Sequence, residues 1–227
     1  MPNIRSLAER NTALDEDSLV SEIEEAVERI ASLEGEVVAV FVGGSFVRGE
    51  MHTDSDIDTW TIVKTEGGLD ALRALERPGR VRYEGFTIDE IREGKRKESS
   101  PRKSSPKRFI ANLGECICVY GSLETTGLPS FTFEEDLKGR LRGWPHMLRA
   151  YENEEMDFAS LAKYACWIAI TQARAEGRTI TKVSDLDHPA VGWSRGESGD
   201  IDELKRWVDG FMKASGDDSR SLSQYEA

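Results

Sequence analysis

A chain of 227 residues, 38% of them hydrophobic, is long enough for two modest domains, and it has no apolar run of the roughly 18 residues that a membrane-spanning helix needs. Thirty basic against 42 acidic residues leave a net charge of −12, which argues against free nucleic acid as main partner and suits a cationic small molecule. Cys116, Cys118 and Cys166 form no disulfide framework, the three histidines give no zinc spacing, and residues 1–10 lack the apolar core of a leader, so a cytoplasmic protein is expected.

In chain order, Asp15 to Leu33 has Leu19, Ile23, Val27 and Ile30 on one face, which predicts an amphipathic helix capped by Asp15 or Asp17. Val37 to Val42 is a continuous β-branched apolar run, expected as a strand buried on both faces. Gly43-Gly44 ends it, and Ser45 to Gly49 has room for one or two helical turns. Asp58 to Lys64 alternates and predicts a second strand. Leu69 to Leu75 reads as helix. Arg80 to Ile91 reads as another strand, with Phe86 and Ile88 on one side and Thr87 and Asp89 on the other. A short helix at Phe109 to Leu113 and a short strand at Cys116 to Tyr120 close this half.

Between them, Gly94 to Arg108 carries seven basic residues against one glutamate, with two Ser-Ser-Pro triplets. It reads as a surface loop, or as a basic lid over a triphosphate or product pyrophosphate. From Phe133 to about Arg178 the periodicity is helical, and Asp202 to Lys213 gives one more helix. Strand character stops near Leu128-Pro129. The expected class is therefore α+β. Residues 1–128 should form a domain with a small mixed sheet flanked by helices. Residues 129–227 should form a helical substrate-binding domain, with a tail that frays from about 215.

The chemistry concentrates between Gly43 and Asp58. Two glycines let the backbone turn sharply and approach a bulky anion. The backbone N–H groups and the hydroxyl at Ser45 suit phosphate oxygens, and Arg48 adds a nearby positive charge. Asp56-Ile57-Asp58 follows eleven residues after Ser45. On extended backbone, Asp56 and Asp58 project to one face. Two adjacent carboxylates repel unless a cation lies between them, and Mg²⁺ is the natural one.

The string Gly43-Gly44-Ser45-Phe46-Val47-Arg48-Gly49-Glu50, followed by Ser55-Asp56-Ile57-Asp58, resembles the signature of the DNA polymerase β-like nucleotidyltransferase superfamily. It is most similar to the minimal nucleotidyltransferase and aminoglycoside nucleotidyltransferase branches. The resemblance covers about the first 125 residues. It implies transfer of a nucleoside monophosphate from a nucleoside triphosphate, ATP for choice, to an acceptor hydroxyl of a small molecule, with an aminoglycoside as the suggested class. It implies Gly44, Ser45, Arg48 and Ser55 at the nucleotide, and Asp56 and Asp58 holding two Mg²⁺ ions. A third carboxylate is expected on a neighbouring strand. Asp89 is the first choice, as catalytic residue and metal ligand, then Glu84, then Glu90.

Other residues have plainer readings beside the functional ones. Lys182 is faintly similar to a Ser/Thr-Lys segment of the aminoglycoside enzymes, where a lysine reaches phosphate, and also reads as an exposed loop lysine. Glu152, Glu154, Glu155 and Asp157 offer a general base or a solvated helix start. Trp144, Trp167, Trp193 and Trp207 could stack on a base or sugar, with core packing favoured for Trp167 and Trp207. Two other functions fit the motif: an antitoxin-type enzyme that adenylylates a protein, and a nucleotide-binding regulatory module without catalysis.

Overall fold

Val37–Val42 forms strand β1, and its last four residues are buried, as its apolar sequence requires. It is central in a four-stranded sheet with β2 (Ile57–Val63), β3 (Val81–Thr87) and β4 (Ile117–Gly121), in the order β3-β2-β1-β4. β1 pairs antiparallel with β2 and β4, whereas β2 and β3 run parallel. The sheet is thus small and mixed, and helices flank it. The computed structural model describes residues 4–53, 55–97, 105–180 and 182–215. The middle of the basic segment, residues 98–104, and the tail from 216 lie outside the described residues.

A parallel pair needs a crossover, and α4 (Glu66–Ala74) supplies it between β2 and β3. Ahead of the sheet come α1 (Ile4–Ala8) and α2 (Glu16–Ala31). The Asp15 carboxylate accepts the Ser18 N–H at 2.8 Å and caps α2. Leu19, Ile23, Val27 and Ile30 of α2 are buried against one face of the sheet, with Leu69 and Leu72 of α4 and Val40, Val42, Ile57, Val63, Val81 and Tyr83 of the strands. The opposite face carries a second cluster: Ala39, Phe41, Ile62 and Phe86, with Ile91 and Phe109 from α5 (Ile88–Glu93) and α6 (Pro106–Ala111).

Here the structure corrects one expectation. The third strand stops at Thr87, and Ile88 begins α5, so Asp89 is on a helix and not on a strand. Thr87 and Glu90 form a reciprocal cap. The Thr87 N–H donates to Glu90 Oε2 at 3.1 Å, and the Glu90 N–H donates to Thr87 Oγ1 at 3.2 Å. Glu90 is buried and also faces Arg96 at 3.4 Å.

The chain divides into two compact units, residues 1–131 and 132–227. In the second, Thr132 and Glu135 cap α7 (Phe133–Glu152) reciprocally, and α8 (Phe158–Ala175), α9 (Ala190–Trp193) and α10 (Ile201–Ala214) follow. Its core joins Leu137, Leu141 and Trp144 of α7 to Leu161, Ala165 and Ile168 of α8 and to Leu204 and Val208 of α10. Trp144 and Trp193 are buried, while Trp167 and Trp207 are only partly so, the reverse of the expected ranking. Of the acidic run at 152–157, Asp157 caps α8 by accepting the Ser160 N–H at 2.6 Å, and that hydrogen bond lowers its carboxyl below the usual range. No helix among the described residues is long and apolar enough to cross a membrane.

Candidate active site

The site is assembled at the end of β1. The Gly43 N–H donates to the Asp58 carbonyl at 3.0 Å, which ties the turn to the start of β2. Gly44 follows with a φ of 68° and opens the short helix α3 (Gly44–Arg48). A Cβ at Gly44 would collide with the Asp58 carboxylate. Glycine is required twice here, for the left-handed backbone and for the close approach of backbone to carboxylate. Cys116 closes the turn from behind, its Sγ against Gly43. Burial pushes the Cys116 thiol up to about 12, and the negative charges of Glu115 and Asp58 push the same way.

Side chains alternate along the strands, so Asp58, Trp60 and Ile62 of β2 share a face with Arg82, Glu84 and Phe86 of β3. In the parallel register, Asp58 stands opposite Arg82 and Trp60 opposite Glu84. Trp60 stacks on Phe86 with centroids 5.8 Å apart, and Phe109 touches both rings. This aromatic floor fills the far end of the face. The near end carries charge: Asp56, Asp58, Arg82 and Glu84. All four are at least partly solvent-accessible.

Asp56 lies just ahead of β2, and its Oδ2 is 2.7 Å from Arg82 Nη2. The cation beside the aspartate pair is therefore an arginine of the chain itself. Among the described residues, no three histidine, cysteine or carboxylate side chains are gathered closely enough to enclose a metal ion.

The remaining sequence candidates fall in different surroundings. Ser45 is half-buried on α3. Arg48 turns to Glu50, Nε to Oε2 at 2.9 Å, with side-chain exposures of 12% and 11%, so its charge is held in a nearly buried ion pair. Ser55 Oγ accepts the His52 N–H at 2.9 Å and shapes the loop before Asp56. Asp89 projects from α5 with 61% of its side chain exposed and lies 3.9 Å from Arg92. Lys182 belongs to the second unit, where its N–H donates to Asp185 at 3.1 Å. The structure thus brings Gly44 together with Asp58, and sets Asp56, Arg82 and Glu84 on the same face, while Asp89 and Glu90 lie on a different element.

Two contributors were missed in the sequence. Arg82 was not singled out in the sequence, and only the register reveals its neighbours. Asn11 is 1% exposed and donates through Nδ2 to the carbonyls of Leu7 and Phe46, at 2.9 and 3.0 Å, while its Oδ1 accepts the Met51 N–H at 3.0 Å. It pins the exit of α3 to the N-terminal helices. A lone asparagine near a helix end carries no signal for a contact 35 residues away.

Residues 20–100, which hold β1, α3, β2, α4 and β3, match the family model for a nucleotidyltransferase domain. The match spans 81 of the 227 residues. The match contains the glycine turn, both aspartates and Glu84, and it marks the chain as a transferase enzyme. No curated protein matches the chain in sequence. Among solved structures, the chain is similar in fold to spectinomycin adenyltransferase AAD(9) from Enterococcus faecialis, whose structure contains ATP and spectinomycin. The TM-score is 0.56 at 13% identity, over 87% of this chain and 99% of that one. At that identity the likeness is one of fold. It reaches beyond the nucleotidyltransferase domain into the helical unit.

Proposed function

We propose that the protein transfers a nucleoside monophosphate, from ATP for choice, to a hydroxyl of a small cationic acceptor of the aminoglycoside class. The observation that carries this reading is the contact of Gly44 with the Asp58 carboxylate. It sets a backbone suited to phosphate directly against a carboxylate suited to a metal. Around it, Asp56 and Glu84 supply further oxygen donors on the same sheet face. The fold similarity to an adenyltransferase solved with ATP and spectinomycin supports the nucleotide and the acceptor class. The net charge of −12 suits a polycation.

The donor set fits Mg²⁺. It consists of carboxylate oxygens, and Asp56 already draws a cation to itself in the form of Arg82. Asp56 and Asp58 hold the metal in this reading, and Glu84 replaces Asp89 as the third carboxylate because it shares their face. The bound ions supply charge neutralisation for the triphosphate and the leaving pyrophosphate. Backbone N–H groups and the Ser45 hydroxyl at the glycine turn grip phosphate oxygens and fix the α-phosphorus in line. Glu84 accepts the proton of the acceptor hydroxyl as that oxygen bonds to the α-phosphorus, while the bond to the bridging oxygen breaks and pyrophosphate leaves. Arg48 shapes the turn through Glu50. The helical unit, residues 132–227, is the candidate acceptor-binding part.

The test is incubation of the protein with α-labelled ATP, Mg²⁺ and a panel of aminoglycosides that includes spectinomycin. A labelled drug and released pyrophosphate are expected. Label on a protein of a cell lysate, with none on any drug, would instead support the protein-modifying reading. ATP binding without pyrophosphate release under every condition would leave a regulatory module.

A further inference from the structure

The Asp56–Arg82 pair differs in kind from the Arg48–Glu50 pair near the turn. Arg48 and Glu50 are nearly buried and fixed, whereas Arg82 and Asp56 have side-chain exposures of 61% and 39%. Arg82 is also fixed at its root. Its backbone belongs to the parallel ladder opposite Asp58, and its carbonyl accepts the Thr59 hydroxyl at 2.8 Å. Only the long side chain is free to swing, on a stem that stays in place beside the aspartates.

We propose that Arg82 is a built-in counter-ion that competes with the divalent metal for Asp56, and so sets the metal concentration at which the site fills. The inference rests on the reading that Asp56 and Asp58 hold metal. Without metal, the guanidinium neutralises Asp56 and offsets the repulsion between the two carboxylates, which keeps the β2 entrance formed. Metal binding at Asp56 then requires the pair to open. A solvent-exposed pair gives way at small cost, and a dication outbids a monovalent one for two adjacent carboxylates. A nearly buried pair such as Arg48–Glu50 would not open so readily.

Two consequences of removing the guanidinium have the same sign. The ion pair no longer has to break, which accounts for roughly a five-fold gain in metal affinity for an exposed pair. A like charge is also taken away from the incoming dication, which raises the expected gain to about ten-fold.

The experiment measures Mn²⁺ binding alone, by the loss of the free-ion paramagnetic resonance signal, with no nucleotide and no turnover. Arg82→Gln should bind Mn²⁺ about ten-fold more tightly than the unaltered protein. Arg82→Lys, which keeps the charge, should lie between the two. Asp56→Asn should lose the site. The same preparations are melted with and without Mn²⁺. Arg82→Gln should melt lower without metal and gain more from it. Equal affinities for Arg82→Gln and the unaltered protein, with binding still lost in Asp56→Asn, would overturn the role of Arg82 and leave the metal reading intact. Binding that Asp56→Asn does not change, or no binding in any variant, would overturn the metal reading and the inference with it.

Discussion

The backbone of Gly44 lies so close to the carboxylate of Asp58 that a single added carbon would collide with it. The two residues are far enough apart in sequence to belong to different elements, α3 and β2, yet the hydrogen bond from Gly43 N–H to the Asp58 carbonyl locks them into one unit. The glycine turn and the Asp58 carboxylate are thus built as a single piece.

Gly44→Ala tests that piece. The substitution strains a backbone with a φ of 68° and pushes Asp58 aside. A loss of about 1–3 kcal/mol in stability is expected. Transfer activity should fall at least about a hundred-fold, because displacing reacting groups by about 1 Å carries that penalty. Melting curves and pyrophosphate release measure the two effects separately.

The carboxylates should divide into two classes. Asp56→Asn, Asp58→Asn and Glu84→Gln each should lower kcat by roughly 10²–10⁴, the range for groups that act on charge or protons in the transition state. Asp89→Asn should stay within about two-fold, since an exposed helical carboxylate changes little when neutralised. A large loss in Asp89→Asn with full activity in Glu84→Gln would reverse the choice between them.

Glu90 serves structure. It accepts from the Thr87 and Lys97 N–H groups and faces Arg96, which itself lies 4.0 Å over the Phe86 ring. Glu90→Ala leaves a nearly buried guanidinium without that partner and should cost about 3–5 kcal/mol. Urea denaturation reads the loss, which should be much smaller in Glu90→Gln.

Cys116 and Cys166 give a pH dependence with a definite sign. Burial is the first cause for both thiols, and it raises each from 9.0 to about 12. The folded chain holds these protons more tightly than the unfolded one, so their contribution is complete below about pH 9. It is lost as pH rises from there toward 12. Chemical denaturation at pH 8, 9.5 and 10.5 should show falling stability. At pH 8 iodoacetamide should label Cys116 far more slowly than in the unfolded chain, as mass spectrometry of the peptides would report.

Much of the geometry around the glycine turn was legible in the sequence because its determinants are local. A six-residue apolar run can only be a buried strand, and the glycine pair ends it. The Asp-x-Asp spacing then fixes a shared face wherever the backbone is extended. The element that carries Asp89 was misread for an equally local reason. The alternation of Phe86, Thr87, Ile88 and Asp89 suits a strand, but Thr87-Ile88-Asp89-Glu90 is also a Thr-x-x-Glu helix start, and the capping hydrogen bonds win over the alternation. Reading that tetrapeptide as a cap would have ended the strand at Thr87 and left Glu84 as the acidic residue on it. Arg82 and Asn11 were invisible because their roles depend on register and on contact across distant segments, which composition and period do not encode.

The parallel pairing of β2 with β3 has a consequence for how this sheet face comes into being. The glycine turn and Asp58 sit on neighbouring antiparallel strands joined by a short excursion, so they meet early at small entropic cost. Arg82 and Glu84 arrive only after α4 has carried the chain back across the sheet. A nascent chain that has emerged through Val63 already contains the glycine turn and both aspartates. Until β3 docks, Asp56 lacks the Arg82 guanidinium, and the sheet's outer edge at β2 stands open to any other extended segment.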